Sequence, residues 1–209
     1  MDADFIRAVV IAGIFIGLIV LFVWMTSRAK RRVVKAVKQA QEALKLTPIV
    51  STHPQLGAVW CAARGQVSGV TIRIFGGRSR RGRNAGVSGG TSAMDKAFVM
   101  IIVSMPINIP FRCNIQRRST LSIPRFGTSY PEFDKFIEVT TDNEKKALTL
   151  LNSEQLRNAI VSFMKSAAIT FITSSEIIIK VSSDKQVIPA AHEAVNLAIL
   201  LGNQINAVH

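Results

Sequence analysis

The chain is poor in the residues from which metal centres, disulfide scaffolds and hydrolytic sites are built. Two cysteines in 209 residues exclude a disulfide-dense framework and a four-cysteine zinc site. Cys61 and Cys113 show no ligand spacing and have no neighbouring histidine to activate a thiolate, so both read as small buried hydrophobes. The three histidines, His53, His192 and His209, are far apart, and His192-Glu193 lacks the second histidine of HExxH. There is no GxxxxGK[ST], no GxGxxG between a strand and a helix, and no GxSxG elbow. From these absences we expect a non-catalytic protein without cofactor or metal. Acidic residues are also scarce, 13 against 26 Lys+Arg, and the net charge of +13 points to an anionic partner or surface. A hydrophobic content of 48% and a mean hydropathy of +0.30 exclude a mainly disordered chain.

What is present begins with an apolar run from Ala8 to Met25 that contains no charged residue. At about 1.5 Å per residue this covers about 27 Å, and with Thr26 and Ser27 it suffices for a hydrocarbon core of about 30 Å. Trp24 stands at one end, where an indole favours the headgroup layer. A cleaved signal peptide needs a basic leading segment, whereas Met1 to Arg7 carries Asp2 and Asp4 against one arginine. We therefore read residues 1–27 as a permanent anchor. Arg28, Lys30, Arg31, Arg32, Lys35 and Lys38 follow it, so the N-terminus is expected outside and the rest in the cytoplasm, at a bacterial inner membrane. Gly13 and Gly17 have the G-x-x-x-G spacing that lets a second helix approach closely.

Beyond the anchor, Val33, Val37, Ala40 and Leu44 recur at helical spacing while Arg31, Lys35, Lys38 and Lys45 occupy other faces. This predicts a basic helical stalk over 28–48, ended by Thr47-Pro48. Its cations either lie against anionic headgroups or serve only to set topology. Residues 49–209 read as one α+β domain. Strands are expected at Gln66 to Phe75, with a bulge at Gly69, at Lys96 to Met105, at Ile107 to Ile115 and at Phe136 to Thr140. Thr141 to Glu144 has a capping-box pattern ahead of one helix, and a second runs from Asn152 or Ser153 to Lys165. Ile169 to Thr173 and Ile177 to Val181 form a hairpin, and a final helix carries Pro189 in its first turn.

The positive charge is local: residues 28–130 sum to +16, whereas 1–27 and 131–209 sum to −1 and −2. Gly76 to Gly90 holds six glycines together with Arg78, Arg80, Arg81 and Arg83, and is expected to be a flexible loop. Its guanidinium groups, with Arg28, Lys30, Arg31 and Arg32, suit lipid phosphates or an acidic partner subunit. Nucleic acid is the alternative ligand, although the stacking aromatics it normally needs are missing from the loop.

Phe133, Phe136, Val139, Asp142, Ala147, Leu150, Leu151, Leu156 and Ile177 fall in an order of strand, helix, helix and hairpin. From Tyr130 onward this pattern resembles a bacterial membrane-associated domain family of unknown function. The resemblance implies an anchored α+β domain and carries no catalytic residue. The sequence thus leads to a single-pass accessory, scaffold or assembly subunit of a membrane complex, contacting lipid and membrane-protein partners. A membrane-tethered nucleic-acid or ribosome-binding module is the alternative.

Overall fold

Ala3–Ala43 forms one uninterrupted helix, α1, of 41 residues in the computed structural model. The structure describes residues 3–53, 56–79, 97–118, 126–166, 169–181 and 186–208. One stretch of α1 is long and apolar enough to cross a membrane, and its side chains from Ile11 to Met25 are all exposed. The helix does not end where the apolar run does. It continues to Ala43; Lys45, with a φ of 53°, then reverses the chain, and the amides of Lys45 and Leu46 donate back to Glu42 O and Gln41 O. That pair of bonds satisfies carbonyls which would otherwise be orphaned at the helix end.

The rest is a single antiparallel eight-stranded sheet with helices packed against it, as α+β patterning predicts. In chain order the strands are β1 (Thr47–Ile49), β2 (Leu56–Val67), β3 (Val70–Ser79), β4 (Ala97–Ser104), β5 (Cys113–Arg117), β6 (Ile137–Thr141), β7 (Ile169–Ile172) and β8 (Glu176–Val181). The further helices are α2 (Pro131–Asp134), α3 (Glu144–Leu150), α4 (Glu154–Ser166) and α5 (Val187–Val208). Across the sheet the order is β1-β2-β3-β4-β8-β7-β5-β6.

Alternation splits the central strands between two apolar layers. Ile72 and Ile74, Val99, Ile101 and Val103, and Ile177 and Ile179 belong to the main core, which includes residues of α1, α3, α4 and α5. Phe75, Phe98, Met100 and Ile102 belong to a smaller cluster with Ala62. β4 is therefore buried on both faces, which is why AFVMIIVS is apolar almost without interruption.

Three expectations change. Gly69 is not a bulge: Ser68 and Gly69, at φ 51° and 80°, are the centre of the two-residue turn joining β2 to β3. Two consecutive positive φ values give the turn whose twist matches the flanking strands. Gln66 to Phe75 is accordingly the turn region of a longer hairpin. Ile107 to Ile115 contributes only its last three residues to a strand, since Pro106 and Pro110 have no N–H to donate. Instead Met105 N and Ile109 N donate to Ser175 O and Ser174 O, both at 2.8 Å, latching this segment to the β7–β8 turn. Asn143, not Thr141, caps α3, accepting from Lys146 N at 3.0 Å.

Candidate functional site

The basic segment read as a stalk is half core. Val33, Ala36, Val37, Ala40, Leu44 and Leu46 are buried in the main cluster, while Arg28, Lys30, Arg31, Arg32, Lys35 and Lys38 are exposed. The helix packs on β2, β3 and β4 and also meets α5. Its fit depends on glycine. A Cβ placed on Gly76 would lie 2.7 Å from Val33 Cγ1, 2.8 Å from Cys61 Sγ and 3.0 Å from Val37 Cγ2. At the other end of the docked segment, Leu46 Cδ2 would lie 2.7 Å from a Cβ on Gly65.

These two contacts orient the sheet along the helix. Gly65 pairs with Ile72, four residues before Gly76 on β3, so β3 runs antiparallel to α1 and points back toward the apolar run. Val33 follows Arg28 by five residues, about 7.5 Å of helix. Arg78 follows Gly76 by two residues, about 6.6 Å of strand in the opposite sense. Since Gly76 also meets Val37, Arg78 is carried back to about the level of Lys30 and Arg31, although it is distant from both along the chain. Ser79 and Ala97, the described residues flanking 80–96, share this end of the sheet, where Arg78 pairs with Ala97. Arg80, Arg81 and Arg83 lie outside the described residues. Gly76 to Ser79, read from sequence as the start of the loop, are strand residues of β3.

Among the described residues, the charges on α1 from Arg28 to Lys38 and at Arg78 on β3 are all positive. Along α1 no acidic residue occurs from Arg28 until Glu42, and none occurs between Glu42 and Asp95. The Arg28 guanidinium sits 5.1 Å from the centre of the Trp24 ring, placing a cation over the indole that closes the apolar run. A shallow groove of about 530 Å³ follows, lined by Lys30, Arg31, Val34, Lys35 and Lys38 with Glu42 at its far end. Gly13 and Gly17 stand in the exposed apolar run, and a Cβ on either would meet no atom within 4 Å.

Concave places also occur elsewhere among the described residues of the domain. One, of about 370 Å³, lies between α2 and α4 and contains Tyr130, Arg157 and Lys165. Its arginine is engaged structurally: the guanidinium stacks 3.6 Å from the Tyr130 ring and donates to Leu151 O and Asn152 O, closing the end of α3. The other, of about 390 Å³, is lined by Phe111, Lys145, Lys146 and Ile205. Among the described residues no group of three or more His, Cys, Asp or Glu is placed to hold a metal ion. Burial pushes the Cys113 thiol up to about 12, with Asp142 adding to the shift. Burial also raises the Cys61 thiol, against a hydrogen bond from the Gly76 backbone. His53 lies 5.3 Å from the Phe75 ring, and burial, then Arg73, holds its imidazole below the usual range.

The sequence pattern does not reveal Gly76 as a packing residue, because it stands among the loop glycines that follow. Nor does it reveal Trp60, half-buried at the irregularity between Val59 and Cys61. The apolar alternation of β3 up to Phe75 is the available signal that the strand extends toward Gly76.

No family model matches the chain, and no curated protein matches it. Among solved structures the chain is similar to the crystal structure of the mycobacterial trehalose monomycolate transport factor A, TtfA. The likeness has a TM-score of 0.52 at 11% identity, covering 84% of this chain and 95% of that one. At that identity the likeness is one of fold.

Proposed function

We propose that this chain is a non-catalytic, single-pass membrane protein that acts as an accessory, scaffold or assembly subunit of a larger membrane complex. Its domain lies on the cytoplasmic side of a bacterial inner membrane, the side on which the cations after Met25 accumulate. The observation carrying this reading is the continuity of α1. One helix is both the apolar run and a core element of the domain, so the domain is held at a fixed height and orientation rather than hung on a tether. Such a part suits presenting a surface to neighbours in the same membrane. Among the described residues the exposed large hydrophobics are Ile11 to Met25 and Val50, so the apolar area open to a companion is on the anchor. Gly13 and Gly17 mark the side where a companion helix comes closest. The fold shared with a trehalose monomycolate transport factor makes transport the first process to examine.

The test is purification from the native membrane in mild detergent through a C-terminal tag, with mass spectrometry of companions before and after nuclease. Stoichiometric membrane-protein companions that survive nuclease, and are lost from Gly13→Leu with Gly17→Leu, are expected. A solitary chain, or companions released by nuclease, overturns the reading and favours a nucleic-acid module.

A further inference from the structure

We propose that the anchor-facing end of the sheet is a headgroup-binding rim, with Arg78 joining Arg28, Lys30, Arg31 and Arg32 to select anionic phospholipids. This rests on the membrane-spanning part of the function proposed above and is independent of whether the chain has a companion. Cations directly after an anchor have two explanations, topology and lipid contact, and sequence cannot separate them because both use the same residues. Arg78 separates them. Topology is set by residues within about 15–20 positions of the anchor. Arg78 is far beyond that span and comes back to the level of the basic stretch around Lys30 and Arg31 only because β3 runs back along α1 from the Gly76 contact. A residue delivered to the headgroup layer by folding, not by chain proximity, has no part in insertion.

The surroundings fit a phosphate surface. Trp24, beneath the Arg28 guanidinium, places that residue at the boundary of the apolar run. The nearest acidic residue on α1 in the direction of the domain, Glu42, is about 21 Å of helix from Arg28. No carboxylate occurs anywhere in β2 or β3. A domain docked directly on α1 presents this basic end to the bilayer without ordering a linker. Nucleic acid fits less well, since the rim's described residues offer no stacking platform beyond Trp24.

The full-length chain is reconstituted into phosphatidylcholine vesicles carrying a trace of spin-labelled phosphatidylglycerol or spin-labelled phosphatidylcholine, with no other protein present. The motionally restricted fraction of each label reports its relative association with the protein. We expect phosphatidylglycerol to be favoured in the parent chain, and the preference to fall by up to about fivefold in Arg78→Gln. Arg78→Lys should keep it, and so should Arg64→Gln, which removes the same charge from the far half of β2 where Arg64 pairs with Arg73. Equal association of the two lipids in the parent chain overturns the proposal. So does an equal loss in Arg64→Gln, or a loss in Arg78→Lys matching that in Arg78→Gln. Salt-dependent RNA retention that requires Arg78, without lipid preference, assigns the rim to nucleic acid and overturns it too. The absence of companion proteins from this assay keeps its failure distinct from failure of the accessory-subunit reading.

Discussion

Replacing Gly76 by alanine tests whether α1 is truly seated in the domain. The added methyl would meet Val33 Cγ1 at 2.7 Å, Cys61 Sγ at 2.8 Å and Val37 Cγ2 at 3.0 Å, three short branched or compact groups with little room to retreat. Valines on a helix are held near one rotamer, so the strain must be relieved by moving α1 away from β3. Overpacking of this kind costs about 1–3 kcal/mol. At about 2–4 °C per kcal/mol for a chain of this size, that lowers the melting temperature by roughly 2–12 °C. Val33→Ala removes the closest group and by itself costs about 1.5 kcal/mol of lost burial. In the double variant the two methyl changes compensate, so its loss should fall short of the sum by about 1 kcal/mol or more, a coupling expected only of touching residues. Thermal unfolding of the four proteins in one detergent, followed by circular dichroism, gives the cycle. A neutral Gly76→Ala, or losses that add within about 0.5 kcal/mol, would refute the close approach and with it the fixed height of the domain.

A chain beginning at Ser27 should keep dispersed amide resonances, whereas one beginning at Thr47 should not fold. The second loses Val33, Val37, Leu44 and Leu46 from the core, at about 1.5–3 kcal/mol each against a typical total of about 5–15 kcal/mol. At pH 8 a chromogenic disulfide should leave Cys113 untouched in the native protein and label both thiols after denaturation, because a thiol pushed up to about 12 holds almost no thiolate. Rapid native labelling of Cys113 by mass spectrometry would contradict this. His53 binds its proton less readily in the folded state than its usual 6.5 implies. The unfolded chain therefore takes up more protons below that pH, so the contribution is complete above 6.5 and is lost as pH falls toward the lowered native value. His53→Gln should flatten the dependence of unfolding free energy on pH in this window, and an unchanged slope would show that other groups set it.

Much of the fold was legible because the signals are local. Hydropathy over consecutive residues marked the apolar run, and helical spacing marked Val33, Val37, Ala40 and Leu44 as one face. The same local logic found the β7–β8 hairpin, α4 and the apolar stripe of α5. Local patterns misled where a proline or a turn decides the geometry. Pro106 and Pro110 turned an expected strand into a latched loop, and Ser68-Gly69 turned an expected bulge into a hairpin turn. β2 went unread because its irregularities at Leu56 to Cys61 break the period on which strand recognition depends.

The sequence by itself determined that a charge-free segment long enough for a bilayer is followed by cations, and that the remainder folds as α+β. Each follows from the composition and periodicity of neighbouring residues. Only the tertiary structure decided what the apolar face of the basic segment touches. Without it that segment is a spacer; with Gly76 and Gly65 opposite Val33 and Leu46, it is part of the core. The same packing carries Arg78 back toward the basic stretch that follows the apolar run, although the two are far apart along the chain. Strand pairing and helix docking are non-local, fixed by the shapes of surfaces that meet only once the chain has folded. No window of sequence contains both sides of those contacts.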